Sequence, residues 1–381
     1  MNDIRFGIIG CGLMGREFAS AVLRWPHLTH TRLRPKIVGV CDTDANARVW
    51  FDALNPKYSV SDYRELLSRD DIDAVYCAVP HHLHATIYCD IIRAGKHFMG
   101  EKPFGIDFAA NQEILGALDE HPRVFARCSS EFPFYPACIQ LMRWHREGRF
   151  GKILEVRSGI HHCSDLDPNK PINWKRVRRT NGEYGCIGDL AVHAQHVPFQ
   201  LGFRPETVYA VLTKAVGQRT GPDGALVPCD TWDNACMLCE ATDEIGDRFP
   251  MRIETKRMAP GATNRWFIEI DGMKASARFS TDDPNAFYYT DAWAREQAWC
   301  RLGIGNKPLF PTITGSIFEF GFSDAILQMW AAFLAELGGD QPEFGCFTPE
   351  WTRLSHKMNT AALESYKTGR AVCLQGGEKE S

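Results

Sequence analysis

The sequence has no apolar run that approaches the roughly 20 residues needed to cross a bilayer. It also has little net charge, because 43 basic and 47 acidic side chains give a formal charge of −4 at pH 7. A balance of this kind lacks the basic surface with which proteins bind nucleic acids or anionic membranes. We therefore expect neither a nucleic acid nor a membrane among the partners.

A secretion signal is not apparent in the sequence as given, since an apolar strand-like run begins at Ile4 and leaves no room for one. We expect a cytoplasmic protein. The 14 cysteines are scattered, and many stand in apolar runs, which is typical of reduced, buried thiols. Cys236 and Cys239 have CxxC spacing, but on a strand residues three apart face opposite sides. Together with the weak spacing of His81, His82 and His84, this predicts no metal site.

A glycine-rich turn is the strongest local signal that is present. Gly10-Cys11-Gly12-Leu13-Met14-Gly15 stands between an apolar strand-like run and a helix-like segment at 16–23. In such a turn the first glycine permits the tight bend, the second lets a pyrophosphate approach the backbone, and the third lets the helix pack on the strand. The helix start adds N–H donors and a partial positive charge. The pattern predicts a dinucleotide site.

An acidic residue at the end of the second strand-like run supports the same site. The run 36–41 ends at Asp42, which can accept hydrogen bonds from an adenosine ribose and would repel a 2′-phosphate. Asp42 lies 27 residues after Gly15, against the usual separation of about 20. The segment 25–35 accounts for the excess as a long connection. We expect NAD rather than NADP, and interpret Arg48 as a solvated charge.

The order of elements predicts two domains. Strand-like and helix-like segments alternate through roughly the first 125 residues, which predicts a doubly wound parallel sheet of the Rossmann type. Later strand-like runs follow one another, which indicates a large, mostly antiparallel open sheet closed by helices at 322–337 and 348–365. We predict an α/β dinucleotide-binding domain over 1–128 and an α+β substrate-binding and oligomerisation domain over 129–381. Residues 376–381 are expected to be disordered.

Two clusters carry side chains suited to catalysis. Lys102 follows the fifth predicted strand, at the edge where doubly wound sheets bind ligands, and could place a positive charge beside a substrate oxygen. Asp189 and His193 are four apart on a predicted helix, with His196 three further along. A carboxylate beside an imidazole suits a general base. For Lys102 the alternative is a surface lysine, the commoner case for lysines, although Pro103 makes the loop rigid. On spacing alone, a surface Asp–His pair with a core histidine fits the second cluster equally well.

Together these segments resemble the Gfo/Idh/MocA oxidoreductases, in which they occur in the same order. The resemblance is carried by the glycine turn with Asp42, and by 80–85, 94–97, 101–103, 188–193 and 271–276. The segment 167–175 is most similar to the levoglucosan dehydrogenase and glycoside 3-dehydrogenase branch. The resemblance implies an NAD-dependent oxidoreductase that moves a hydride between the nicotinamide and a secondary hydroxyl of a sugar, glycoside or polyol.

The resemblance also implies roles for individual residues. Lys102 would polarise the alcohol, His193 would be the general base, and Asp189 would orient His193. Cofactor contacts are implied for Gly10, Gly12, Leu13, Met14, Gly15, Asp42, Thr43, Val79, Pro80, His81, His84, Glu101 and Lys102. Substrate contacts are implied for Lys102, Glu131, Trp174, Lys175, Asp189, His193 and His196.

Three positions depart from the family pattern. His81 stands where asparagine is common, Glu131 begins a segment that is usually N-x-R, and His196 replaces an acidic residue. Glu131 could bind sugar hydroxyls, cap a helix or be solvated, and His196 could be a core residue. These departures predict a substrate that differs from those of the best-known members.

Two alternative functions and one assembly remain open at this point. The chain could retain its cofactor and oxidise a glycoside transiently to assist elimination, or it could sense a dinucleotide without catalysis as a regulatory protein. By analogy with the family, we expect a homodimer or homotetramer formed through the sheet of the second domain.

Overall fold

The structure is a computed structural model that describes residues 2–374. Residues 376–381, which the sequence analysis expects to be disordered, lie outside the described part. The chain divides into two compact units. The first comprises the segments up to residue 135 and 306–352, and the second comprises 136–305 and the segment from 353 onward.

The helices and strands have the following bounds. The strands are β1 Asn2–Ile9, β2 Leu33–Cys41, β3 Tyr58–Val60, β4 Ala74–Cys77, β5 His97–Gly100, β6 Ala126–Cys128, β7 Ile153–His161, β8 Arg204–Thr213, β9 Gln218–Thr220, β10 Leu226–Pro228, β11 Asn234–Thr242, β12 Arg248–Lys256, β13 Arg265–Gly272, β14 Ala275–Ser280, β15 Ala286–Asp291, β16 Cys300–Gly303 and β17 Val372–Cys373. The helices are α1 Leu13–Leu23, α2 Ala45–Val49, α3 Tyr63–Leu67, α4 His84–Arg93, α5 Phe108–Glu120, α6 Pro136–Arg146, α7 Arg178–Asn181, α8 Cys186–Gln200, α9 Phe322–Leu337 and α10 Pro349–Thr368.

The first unit is built on a six-stranded parallel sheet in the order β3-β2-β1-β4-β5-β6. Its central strand β4 is buried throughout, as parallel strands covered on both faces are. The strand order changes direction at β1, so the crevice beside β1 and β4 is the position where such sheets bind ligands. The prediction of a doubly wound parallel sheet is confirmed.

Helix α9 belongs to the core of this first unit. The ring centroid of Trp330 lies 4.0 Å from that of Phe18 in α1, 5.0 Å from that of Tyr76 in β4 and 5.7 Å from that of Phe6 in β1. Burying these aromatic rings explains why residues 306–352 join the first unit, although the sequence analysis places them in the second domain. The domain boundary at residue 128 stays a prediction.

The second unit is built on a nine-stranded sheet in the order β16-β15-β14-β13-β7-β12-β11-β8-β17. Strands β7 and β12 pair in parallel, and the other neighbours pair antiparallel. Burial alternates along β8, β11 and β12, so one face of this part of the sheet is covered and the other is open. Helix α8 packs on β7 and β12. The predicted mostly antiparallel sheet is confirmed.

Several short strands have no signal in the sequence. β16 is exposed along its whole length, and β9 and β10 form a separate two-stranded ribbon. Such strands lack the apolar alternation from which a half-buried strand is predicted. Among residues 2–374, no helix combines the length and apolarity that a membrane span requires.

Candidate active site

The register of the first sheet brings the predicted cofactor residues to one edge. Ile9 pairs with Cys77, Cys77 with Gly100, and Gly100 with Cys128, so β1, β4, β5 and β6 end in one row. The glycine loop (residues 10–15), the segment 79–84, the pair 101–102 and Glu131 all follow this row. Carboxyl ends of parallel strands are where such sheets bind ligands.

Within the glycine loop, two glycines are required by the fold and one is not. Gly10 has φ +100, and a Cβ there would lie 2.3 Å from the carbonyl oxygen of Ala78. A Cβ on Gly15 would lie 2.2 Å from the carbonyl oxygen of Gly10. A Cβ on Gly12 would meet nothing within 4 Å. The surface of the loop at Gly12 is therefore open to a ligand that approaches the backbone.

Helix α1 starts directly at this opening. Its N-cap is Gly12, no side chain caps it, and its first turn has no acidic residue. Leu13 is 75% exposed, whereas Met14 packs against the core. The N–H groups and the positive end of the helix dipole thus face the open side of the loop, which fits a pyrophosphate.

Asp42 ties the end of β2 to the glycine loop. Its carboxylate accepts hydrogen bonds from the backbone N–H of Cys11 (2.8 Å) and of Asp44 (2.9 Å). A carboxylate has about four acceptor sites, so it keeps capacity for ribose hydroxyls. Thr43 beside it is exposed. Arg48 donates to the carbonyl oxygen of Asp42, which corrects the expectation that Arg48 is merely solvated.

His84 connects two of the loops at the carboxyl ends of the strands through hydrogen bonds of its ring. The N–H of Gly105 donates to its Nδ1 (3.3 Å), and its Nε2 lies 3.0 Å from the carbonyl oxygen of Val79. Because Nδ1 accepts, Nε2 carries the hydrogen and donates to Val79. The ring is fully buried and connects the 79–84 segment to the loop after Lys102. Pro80 precedes a short 3-10 turn in which His81 is buried.

The Glu101–Lys102 pair is held by two tyrosines. The hydroxyl of Tyr76 donates to Oε1 of Glu101 (2.6 Å), and the hydroxyl of Tyr88 donates to its carbonyl oxygen (2.9 Å). Glu101 is buried, and the peptide between Lys102 and Pro103 is cis. The loop that carries Lys102 is therefore anchored from the adjacent strand β4 and from helix α4.

Glu131 is a buried carboxyl, only 3% exposed. Burial, and next the negative charge of Glu101, raise its pKa to about 8. The group is therefore protonated at neutral pH. It precedes the 3-10 turn 132–134 without forming a side-chain cap. The burial overturns the solvated alternative, and the missing cap bond overturns the capping alternative.

In the second unit, α8 carries the predicted Asp189, His193 and His196 along one buried helix. The helix starts after Gly185, which has a φ of +57. A Cβ added at this position would lie 2.4 Å from the backbone nitrogen of Trp232. The indole N–H of Trp266 donates to the carbonyl oxygen of His193 (2.8 Å). Helix α8 is thus fixed by the neighbouring sheet.

Asp189 lies between two cations. Nζ of Lys175 is 3.0 Å from both carboxylate oxygens, and Nη2 of Arg257 is 3.0 Å from one of them. Asp189 and Arg257 have no exposed side-chain surface, and Lys175 follows Trp174 in a 3-10 turn that Asn173 caps. Nothing in the sequence singles out Arg257, because it follows strand β12, lies 68 residues from Asp189 and belongs to no motif.

The predicted site residues therefore form two groups, one in each unit. The first holds the glycine loop, Asp42, Glu101, Lys102 and Glu131, and the second holds Trp174, Lys175, Asp189, His193 and His196. Within the described range 2–374, no three His, Cys, Asp or Glu side chains are grouped so as to hold a metal ion. The expectation of no metal stays a prediction.

Comparison with known proteins places this chain in a family. Residues 4–127 match the model of the oxidoreductase family with an NAD-binding Rossmann fold, and residues 139–278 match the Gfo/Idh/MocA C-terminal domain. The chain belongs to the Gfo/Idh/MocA oxidoreductase family. The resemblance stated from the motifs is confirmed, and the first unit is an NAD-binding Rossmann domain.

Individual relatives agree with this membership. The levoglucosan dehydrogenase of Pseudarthrobacter phenanthrenivorans is 27% identical over 297 residues, which cover 74% of each chain. An uncharacterized oxidoreductase of Bacillus subtilis, YrbE, is 34% identical over 348 residues, covering 87% of this chain and 95% of that one. The structure of levoglucosan dehydrogenase with NADH and L-sorbose has a TM-score of 0.87 at 22% identity, covering 98% of this chain and 99% of that chain, and it shows a shared fold.

Proposed function

We propose that this Gfo/Idh/MocA oxidoreductase is an NAD-dependent dehydrogenase that reversibly oxidises a secondary hydroxyl of a sugar, glycoside or polyol to a ketone. The observation that carries the proposal is the position of Lys102. It follows β5 at the same edge as the glycine loop, on a segment fixed by hydrogen bonds to Glu101. A cation held there can lower the pKa of a substrate hydroxyl.

The first unit supplies the residues that would hold the cofactor. The open backbone at Gly12 and the uncapped start of α1 suit the pyrophosphate, and Asp42 suits the ribose of NAD. The remaining contacts in this proposal are Leu13, Met14, Thr43, Val79, Pro80, His81, His84 and Glu101. When bound, NAD supplies the acceptor for the hydride of the carbinol carbon.

The second unit supplies the proposed proton acceptor and substrate contacts. His193 would remove the hydroxyl proton while Lys102 stabilises the developing negative charge. Asp189, held by Lys175 and Arg257, would bind a neighbouring hydroxyl and keep the imidazole in position. We further assign Glu131, Trp174 and His196 to substrate recognition. Where the family usually has Asn-x-Arg, this chain has a segment that starts with the neutral, buried Glu131. This difference supports a substrate unlike those of the best-known members.

The decisive experiment is Lys102→Ala in an assay of NAD reduction over monosaccharides, anhydrosugars, glycosides and inositols. We expect kcat to fall by about 10²-fold or more, because the cation at the reacting oxygen is lost, while NADH still binds with near-normal affinity by fluorescence. Lys57→Ala is the control, since Lys57 is 62% exposed and pairs with Asp71. Near-normal turnover in Lys102→Ala would contradict the proposal.

The same screen separates the alternatives. Stoichiometric release of NADH supports a dehydrogenase, whereas product formed without net NADH supports the cofactor-retaining glycoside oxidoreductase. NAD binding without turnover of any carbohydrate supports a regulatory protein. A cytoplasmic location and the absence of nucleic-acid partners stay predictions.

We also propose a homodimer or homotetramer formed through the sheet of the second unit. The support is the open face of that sheet, where Tyr209, Val211 and Leu238 are each more than 40% exposed. Apolar side chains grouped on one face of a sheet are typical of a surface that a partner covers. Sedimentation analysis measures the oligomeric state directly.

A further inference from the structure

The second unit contains a small polar cavity that the proposed reaction does not by itself explain. Its volume is about 190 Å³. Three cations, Lys170, Lys175 and Arg257, line it, and Asp165 is the carboxylate in the same lining. Two of these cations also contact Asp189, so the cavity adjoins the proposed substrate contacts.

Among the side chains that form ion pairs around the cavity, cations outnumber carboxylates. On one side Asp165 pairs with Lys170 at 3.0 Å and with the buried Arg176, which also pairs with Asp233. On the other side Lys175 and Arg257 both pair with Asp189. The first group pairs two cations with two carboxylates, whereas in the second two cations share one carboxylate, so together the two groups hold four cations and three carboxylates. The cations are Lys170, Lys175, Arg176 and Arg257, and the carboxylates are Asp165, Asp189 and Asp233.

The neutral groups of the lining are hydrogen-bonding groups. His162 has its pKa lowered to about 4, chiefly by burial, so it is neutral at pH 7 and does not add to the positive charge. Its Nδ1 lies 2.8 Å from Oγ of Ser164, which also lines the cavity with Asn173. A charged group that enters this cavity would thus meet both cations and neutral polar groups.

We propose that this cavity is a subsite for a singly charged anionic group, a carboxylate carried by the sugar or glycoside that the enzyme oxidises. The inference rests on the proposed function, because Lys175 and Asp189 belong to the proposed substrate site. An excess positive charge in a partly dehydrated cavity is costly unless an anion offsets it. A carboxylate also has the oxygen acceptors that Lys170, Lys175 and Arg257 require.

The test compares D-glucuronate with D-glucose, which differ in the charge at one carbon, and their methyl glycosides. Binding to the NADH-loaded protein is measured by calorimetry, and KM and kcat by NAD reduction. We expect wild type to prefer the glucuronates, and Lys170→Gln to weaken them by about fivefold, as expected for a half-exposed charge. Glucose should change less than about twofold.

Matched variants isolate the cavity. The side chain of Lys170 is 37% exposed. When its charge is removed, Asp165 still pairs with Arg176, so the fold should persist. Lys152→Gln removes the same charge from an exposed pair with Asp247, also at 3.0 Å, and should leave both sugars unaffected. Lys170→Arg should restore the preference for glucuronate. The preference of wild type should also shrink as salt is raised, which tests the proposal without any variant.

Each remaining outcome decides against part of the proposal. Equal affinity of wild type for glucuronate and glucose overturns the subsite and leaves the proposed function intact. Acetate that binds as tightly as glucuronate would make the cavity an anion site unrelated to the sugar. If no sugar is turned over, the proposed function fails, and calorimetric binding of glucuronate still decides whether the subsite exists.

Discussion

The two groups of site residues are fixed by different means. In the first unit, the glycine loop is shaped by consecutive residues, and Gly10 and Gly15 sit where a Cβ would strike a backbone carbonyl oxygen. In the second unit, Asp189 is fixed by Lys175 and Arg257, which are 14 and 68 residues away. Backbone geometry leaves a motif in the sequence, whereas a long-range ion pair leaves none. The two groups should therefore respond differently to substitution.

The largest expected effect follows from Arg257→Met, which keeps side-chain bulk but removes the buried charge. Asp189 would remain buried without the cation that lies 3.0 Å from its carboxylate. Breaking a buried ion pair from one side costs about 3–5 kcal/mol, and we expect the melting temperature to fall by roughly 10 °C. Scanning calorimetry measures this change.

Arg265→Met provides the matched control in the same unit. Arg265 pairs with Asp282 at 3.0 Å, but both side chains are at least 40% exposed. Exposed pairs of this kind contribute at most about 1 kcal/mol. If the two variants melt at the same temperature, the ion pairs of Asp189 do not stabilise the second unit, and the contrast between the units fails.

The second prediction concerns pH and Glu131. The folded pKa of about 8 lies above the ordinary value of 4.5, so between these values the folded chain holds one proton more than the unfolded chain. The free energy of unfolding therefore falls as pH rises through this window. Glu131→Gln is neutral at every pH, and its stability relative to wild type should rise by about 2 kcal/mol between pH 6 and pH 8.

The groups that act on Glu131 are known, which makes the control specific. Burial raises the pKa of Glu131 most, the negative charges of Glu101 and Glu17 raise it further, and Lys102 lowers it. Glu120→Gln removes an exposed carboxyl at the end of α5 and should show no such pH trend. A stability difference between Glu131→Gln and wild type that is constant from pH 6 to pH 8 would mean that Glu131 is already ionised.

Glu131 and Trp330 mark the limit of what the sequence could predict. The sheet, the glycine loop and the helix spacing of Asp189 and His193 follow from local patterns of apolar residues and glycines. The neutral state of Glu131 depends on burial and on a carboxylate that arrives from the neighbouring strand. Likewise, Trp330 packs on β1 and β4 from a segment some 250 residues later in the chain. Both depend on which distant elements become neighbours.

The smallest expected effects come from two glycines of one loop, and they separate folding from binding. Neither Gly12 nor Gly15 has a positive φ, so the backbone angle at both positions also suits alanine, and only the space around the added Cβ differs. In Gly15→Ala the Cβ would meet a carbonyl oxygen at 2.2 Å and force the helix away from the strand. We expect a net loss of about 2 kcal/mol in stability, since the gain in helix propensity of about 1 kcal/mol offsets part of the strain.

Gly12→Ala should instead affect the cofactor. Its Cβ enters open space, so the loss of stability should stay below about 1 kcal/mol, the cost of a poorer N-cap. The methyl group would stand where the pyrophosphate approaches the backbone, and we expect the Kd for NADH to rise about tenfold or more. Fluorescence titration and thermal melting of both variants test the pair together. If Gly12→Ala binds NADH normally, the pyrophosphate does not contact the loop at this glycine, and the first unit holds its cofactor by other groups.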